Sequence, residues 1–205
     1  MSVEYVEFLV EELSMEVFLR GLLPRLLGDV PFEIHPFQCK DELLARLPQR
    51  LQGYAAWRPE GHRIIVVVDR DDDDCRELKR RLEQAAQEAK LVTRSRSRDR
   101  FDIISRIAVE ELEAWYFGDW EAVCAAYPRV SPLAVGKAPF RDPDGIAGGT
   151  WEAFERELQK AGYFKAGLRK LEVARSIIPH LDPARNTSRS FQVLREAILE
   201  LAGSC

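Results

Sequence analysis

The sequence predicts an α/β fold, a parallel sheet flanked by helices with a helical C-terminal extension. Three observations predict it. Arg63 to Val68 (RIIVVV) is a continuous β-branched run without alternation, the pattern of a central parallel strand covered on both faces. Strand-like and helix-like segments alternate as β-α-β-α-β-α-β-α up to Phe117. Beyond Gly149 only helical periodicities remain.

Tyr5 to Val10 (YVEFLV) reads as the first strand, interrupted by Glu7. A helix from Met15 to Leu27 follows, with Val17, Phe18, Leu22, Leu23 and Leu26 as its apolar positions. Phe32 to Phe37 reads as the second strand. Asp41 to Gln52 reads as a helix with Leu43, Leu44, Leu47 and Leu51 on one face. After the RIIVVV strand, the run Asp71–Asp74 opens a helix reaching Ala89, where carboxylates favour the helix dipole. Arg94 to Arg100 (RSRSRDR) is a basic polar loop, Phe101 to Val109 a fourth strand, and Glu110 to Phe117 the first turns of another helix. Proline and glycine make 128–150 a connection. Trp151 to Ala161, Gly167 to Ile178 and Phe191 to Ala202 read as helices. The expected organisation is an α/β core over residues 1–127, the connection, and a basic helical part over 151–205 packed on that core.

Of the 205 residues, 46% are hydrophobic and 31% charged, a balance that excludes a disordered chain. No apolar run approaches the ~18–20 residues of a membrane span. The start, MSVEYVEFLVEELSME, has acidic residues and no basic leader, so a cytoplasmic location is expected without a membrane partner. Cys39, Cys75, Cys124 and Cys205 form no C-x-x-C pair, which speaks against a zinc cluster or disulfide framework and assigns them to packing. The net charge of −4 hides an asymmetry: residues 1–140 carry −5 and residues 160–195 carry +6. An acidic body with a basic segment suits a metal site beside an anion-binding surface, and equally a solvated helix face.

Acidic residues follow three of the strands: Glu11 and Glu12 the first, Asp69, Asp71 and Asp73 the third, Glu110, Glu111 and Glu113 the fourth. In a parallel sheet all strand C-termini share one edge, where α/β proteins place their ligands. Taken singly, each group reads equally as helix-start carboxylates or an exposed face. Together, carboxylates on one rim repel unless a cation joins them. An all-oxygen set suits Mg²⁺ or Mn²⁺. Two such ions about 4 Å apart are a common device for phosphodiester hydrolysis.

Such a site also needs cations for transition-state charge, and Lys165, Lys170 and Arg189 are candidates, with Lys165 the expected catalytic lysine. Each is equally a surface residue. Asn186, Ser188, Arg189 and Ser190 either bind phosphate or cap the helix near Phe191. Arg94, Arg96, Arg98 and Arg100 either track a phosphate backbone or line a solvated loop. Trp57, Trp115, Trp120 and Trp151 read as core or interface residues. His35, His62 and His180 read as isolated, and only His180, beside Asp182, merits a test.

The motifs V-E-x-x-S-x-E (Val10, Glu11, Ser14, Glu16) and V-D-R-D-D-D-D (Val68 to Asp74) resemble the TOPRIM domain of topoisomerases, primases and overcoming-lysogenization-defect nucleases. The longer strings Arg106 to Asp119, Asp142 to Trp151 and His180 to Phe191 look like the TOPRIM-like domain-of-unknown-function 4276 family. The resemblance implies a TOPRIM-like (Rossmann-like) fold. It makes Glu11 a metal ligand or general acid/base, Asp69 and Asp71 the metal-binding D-x-D with Asp73 outside it, and Glu111 and Glu113 a pair for a second metal. One position departs from the pattern: Glu12 stands where TOPRIM domains usually have glycine. The function implied is Mg²⁺-dependent cleavage of DNA or RNA, paired with an ABC-type ATPase in phage defence, with homo-oligomerisation left open. The alternatives are a non-catalytic metal-binding subunit that regulates an ATPase, and a small-molecule phosphohydrolase, for which no nucleophile motif is present.

Overall fold

The computed structural model describes residues 3–203. Four parallel strands, β1 (Tyr5–Val10), β2 (Phe32–Pro36), β3 (His62–Asp69) and β4 (Ile103–Ala108), form one sheet in the order β2-β1-β3-β4. β3 is central, with Phe8 of β1 opposite Ile65 and Asp69 opposite Ala108 of β4. Its unbroken apolar run is explained by its two faces. Ile65 and Val67 face a core built with α1 (Leu13–Leu27) and the C-terminal helices. Ile64, Val66 and Val68 face α2 (Lys40–Trp57) and α3 (Cys75–Glu88).

Several boundaries differ from the sequence reading, each for a local reason. α2 runs past Gln52 because buried Tyr54 anchors its last turns despite Gly53. α3 starts at Cys75 rather than Asp71. Asp71 has φ 48°, outside helical space, and the Asp74 side chain caps the helix by accepting from Glu77 N–H at 2.8 Å. α4 (Leu112–Gly118) likewise starts after Glu110, whose φ is 65°. Behind α4 comes a short helix the pattern did not reveal, α5 (Trp120–Ala126), set off by Asp119. The Pro/Gly-rich stretch folds as three short 3-10 turns between Ala134 and Gly145. α6 (Thr150–Lys160), α7 (Lys170–Ile177) and α8 (Arg189–Ala202) complete the chain. α7 and α8 lie against α1, and α8 also covers β4.

Three other expectations are corrected. Cys39 and Cys75 are exposed rather than packed, Cys124 is half-buried, and Cys205 lies outside the described residues. Trp115 and Trp120 are buried in the core, whereas Trp57, 59% exposed, is no core residue of this chain. His35 is not isolated: its Nε2 lies 2.5 Å from Glu7 Oε2. Among the described residues no helix is long and apolar enough to cross a membrane.

Candidate metal and phosphate site

Parallel pairing brings the ends of β1, β3 and β4 to one edge, and with them Glu11, Asp69 and the segment Glu110–Glu113. Glu11 Oε2 accepts the Asp69 backbone N–H at 3.0 Å, tying the first two strand ends together. Burial pushes the Glu11 carboxyl up to about 7; the bond from Asp69 opposes this and the Asp71 charge adds to it. Asp69 is wholly buried, and burial followed by the charges of Glu11, Glu12 and Glu113 raises it well above the usual carboxylate range. Glu113, projecting from the first turn of α4, is also wholly buried and is pushed up to about 7, chiefly by burial.

Three buried polar atoms here have no protein partner: Asp69 Oδ1, Glu113 Oε2 and the Tyr116 hydroxyl. Tyr116 was not singled out by the sequence. It sits one helical turn beyond Glu113, and burial, with the charges of Glu113, Glu12 and Asp69, raises its hydroxyl well above its ordinary value. A buried unpartnered polar atom costs about 1–3 kcal/mol, so three in one electrostatic neighbourhood leave room for partners from outside the chain, an ion or ordered water.

Two lysines serve this rim. Lys170, the first residue of α7, has its Nζ 3.7 Å from Glu12 Oε1 and 5.9 Å from the Trp151 ring centroid. Burial lowers its pKa, but Glu113, Glu12, Asp69 and Glu111 together outweigh that and raise it, so it stays charged. Lys40, which the sequence reading missed, opens α2 and reaches Asp71 Oδ2 at 2.6 Å, Asp73 Oδ2 at 2.7 Å and the Arg70 carbonyl at 3.1 Å. Its own helix gave no periodic signal for this role, because the contact is made across the sheet edge.

The other candidates lie elsewhere or are otherwise engaged. Glu111 Oε2 accepts from Thr150 Oγ1 at 3.0 Å and Trp151 N–H at 2.8 Å, so it caps α6. Glu110 pairs with Arg70. Lys165 is exposed in the turn before α7. Arg94, Arg96 and Arg98 precede β4 and therefore sit at the opposite edge of the sheet, a strand length of roughly 17 Å away. Arg94 pairs there with Glu200. Arg189 is exposed beside Glu196, and His180 is exposed. The cluster around it is a cap: Ser188 Oγ accepts Phe191 N–H at 3.2 Å, and Asp144 accepts from Ser188 Oγ at 2.7 Å and Ser190 N–H at 2.6 Å. Asn186 donates to the Trp115 carbonyl at 2.7 Å, and Trp115 Nε1 donates to Ser190 Oγ at 2.9 Å.

Glu12, at the position of the missing glycine, has φ −146° and ψ 167°, extended backbone open to any residue. Its side chain accepts from Ser14. The carboxylates fit a divalent cation by donor chemistry, being oxygen ligands with free lone pairs. They do not form a finished cage, since among the described residues no three acidic, histidine or cysteine side chains are grouped to hold one ion.

A family model described as "Domain of unknown function (DUF4276)" matches residues 10–199. The chain belongs to this DUF4276 family. No curated protein matches it. Among solved structures, the C-terminal region of the OLD protein of Xanthomonas campestris pv. campestris aligns at a TM-score of 0.46 and 14% identity, over 97% of this chain and 95% of that one. Within this DUF4276 chain, the string Arg106 to Asp119 supplies the end of β4 and all of α4, and with them Glu113 and Tyr116 of the rim and the α6 cap Glu111. The strings Asp142 to Trp151 and His180 to Phe191 supply the Asp144–Ser188–Ser190 lock instead.

Proposed function

We propose that the chain is a Mg²⁺- or Mn²⁺-dependent nuclease whose rim of Glu11, Asp69 and Glu113 holds the cation. The observation that carries this reading is the group of unpartnered polar atoms, Asp69 Oδ1, Glu113 Oε2 and Tyr116 Oη, at the C-terminal edge of a parallel sheet. The TOPRIM-like D-x-D at Asp69 and Asp71 supports it. A bound divalent ion would supply an activated water and neutralise phosphate charge. In this reading Lys170 stabilises negative charge growing on a phosphate, and Glu11 serves as an ionised ligand of the cation. Asp71 and Asp73 join a metal-binding set only by releasing Lys40. A partner ATPase of the ABC type and a role in phage defence extend the same proposal.

The test is cleavage of pooled single- and double-stranded DNA and RNA with Mg²⁺ or Mn²⁺, against EDTA and Asp69→Asn. Cleavage that needs both metal and Asp69 is the expected result. A second reading, a non-catalytic metal-binding subunit, is favoured by Lys40 neutralising Asp71 and Asp73. Calorimetric Mn²⁺ binding without cleavage of any of the pools selects it, and absence of both overturns the metal site itself.

A further inference from the structure

A cavity of about 790 Å³ opens between β2 and α2 on the other side of the first strand from the central one. Its floor is a polar chain in an otherwise apolar helix–sheet interface. Glu7, on β1, has its Oε2 2.5 Å from His35 Nε2 and accepts from the Tyr54 hydroxyl at 3.1 Å. Arg50 Nε donates in turn to Tyr54 at 3.2 Å. Burial pushes the Tyr54 hydroxyl up to about 12, so it remains a donor. The carboxylate of Glu7 is thus met from two sides and leaves the cavity's outer wall to cations.

That wall is one stripe of α2. Arg46, Arg50, Gly53 and Trp57 follow at spacings of four, three and four residues, which places them on one face. Trp57 is the large aromatic left most open, at 59%; Arg50 lies over the Tyr54 ring and makes no ion pair among the described residues, whereas Arg46 pairs with Glu42 at 3.1 Å and takes an anion only by sharing or releasing that contact. Gly53 forms a notch between them: a Cβ built there meets nothing within 4 Å. The cavity size falls in the range of small-ligand sites. A flat exposed ring, two guanidinium groups and a notch suit a stacked heteroaromatic base with an adjoining phosphate.

We propose that this cavity is a nucleotide site separate from the carboxylate rim, with the base against Trp57 and the phosphate on Arg46 and Arg50. The nucleotide comes from one of two sources. It is either a free mononucleotide or one unit of a strand, since Phe37 borders both this cavity and a second one, of about 510 Å³, lined by Glu12 and Lys170.

The experiment is calorimetric titration of the full chain in EDTA, where no cleavage occurs, with nucleoside mono-, di- and triphosphates and with short single-stranded DNA and RNA. Tryptophan fluorescence is followed in parallel. Saturable binding is expected, weakened about tenfold or more by Trp57→Ala, the size of one lost base–aromatic stack. Gly53→Leu fills the notch and should weaken binding at least as much while keeping the fold, because glycine is a poor helix former and the space is open. Circular dichroism and the melting temperature check that. Binding by mononucleotides alone assigns the first source, and binding by oligonucleotides alone the second. No saturable binding by any of these probes overturns the proposal. So does binding that survives Gly53→Leu and is lost in Asp69→Asn, which places the ligand at the rim.

Discussion

Asp71 and Glu110, on the loops leaving adjacent strands, both adopt left-handed backbone and are joined by a hydrogen bond from Asp71 N–H to the Glu110 carbonyl at 3.0 Å. Strained non-glycine backbone persists where surrounding contacts over-determine it, and such positions concentrate at functional sites. Here the bond holds the β3 and β4 exits together, with Arg70 pairing to Glu110 across the same gap. Asparagine tolerates the left-handed region and valine does not. Both Asp71→Asn and Asp71→Val lose the ion pair with Lys40, and Asp71→Val is expected to lower stability by about 1–2 kcal/mol more than Asp71→Asn. Urea denaturation of both variants checks the pair, and equal losses would show that φ 48° is not what constrains the position.

Lys40 acts as a built-in cation for Asp71 and Asp73. Removing its charge leaves two carboxylates facing each other across the space where Nζ now sits 2.6 and 2.7 Å from them. Lys40→Met is expected to melt lower than the parent in EDTA and to recover part of the loss in millimolar Mg²⁺. Thermal melts with and without the ion read this directly, and a loss indifferent to Mg²⁺ would mean that the two aspartates cannot take up an ion.

The strand ends and their acids were legible because both are local: RIIVVV reports its own burial, and parallel topology then sends Asp69, Glu11 and Glu113 to one edge. The partners of those acids were less legible. Lys40 and Tyr116 reach the rim through tertiary packing without a sequence signal, and Lys170 was one of three candidate cations that nothing in the spacing distinguished from exposed Lys165. The arginines of Arg94–Arg100 illustrate the reverse case. Their composition suggested phosphate contacts, but a loop that precedes a parallel strand lies at the wrong edge for the rim. Glu111 was likewise indistinguishable from Glu113 until Thr150 and Trp151 folded onto it.

Burial of Glu113 makes stability depend on pH in a stated direction. Its carboxyl titrates at about 7 in the fold against 4.5 ordinarily, so between those values the folded state holds a proton that the unfolded chain has lost. The stabilising contribution is complete below about pH 4.5 and disappears as pH rises through 7, on the order of 3 kcal/mol over that window. Denaturant midpoints in EDTA should fall across this range, and Glu113→Gln should flatten the fall. Saturating Mn²⁺ should reduce it too, because an ion stabilises the ionised form. An unchanged slope in Glu113→Gln would assign the dependence to other groups.

Asp144 holds the start of α8 to the turn before α6 by accepting from Ser188 and Ser190. Ser188 and Ser190 are both buried, so Asp144→Ala strands their donors, at a cost of about 1–3 kcal/mol. Hydrogen exchange should show faster opening around Phe191, with metal binding at the carboxylates unaltered. Loss of metal binding in this variant would mean that the lock also shapes the rim.

The two lysines separate a charge that faces the rim from one that merely neighbours it in sequence. Lys170 feels Glu113, Glu12, Asp69 and Glu111, whereas Lys165 is exposed five residues earlier. If the rim cleaves phosphodiesters, Lys170→Met removes a cation preorganised against developing phosphate charge, an interaction worth roughly 10²–10³ in rate at comparable sites. Lys165→Met should change the rate less than about twofold, as expected of a surface residue away from the chemistry. Lys170→Arg restores charge but not shape beside Trp151 and should recover only part of the rate. Single-turnover cleavage of the three variants under saturating metal isolates the chemical step from binding. Equal rates for Lys170→Met and Lys165→Met would remove Lys170 from the mechanism, and the carboxylates alone would then have to carry it.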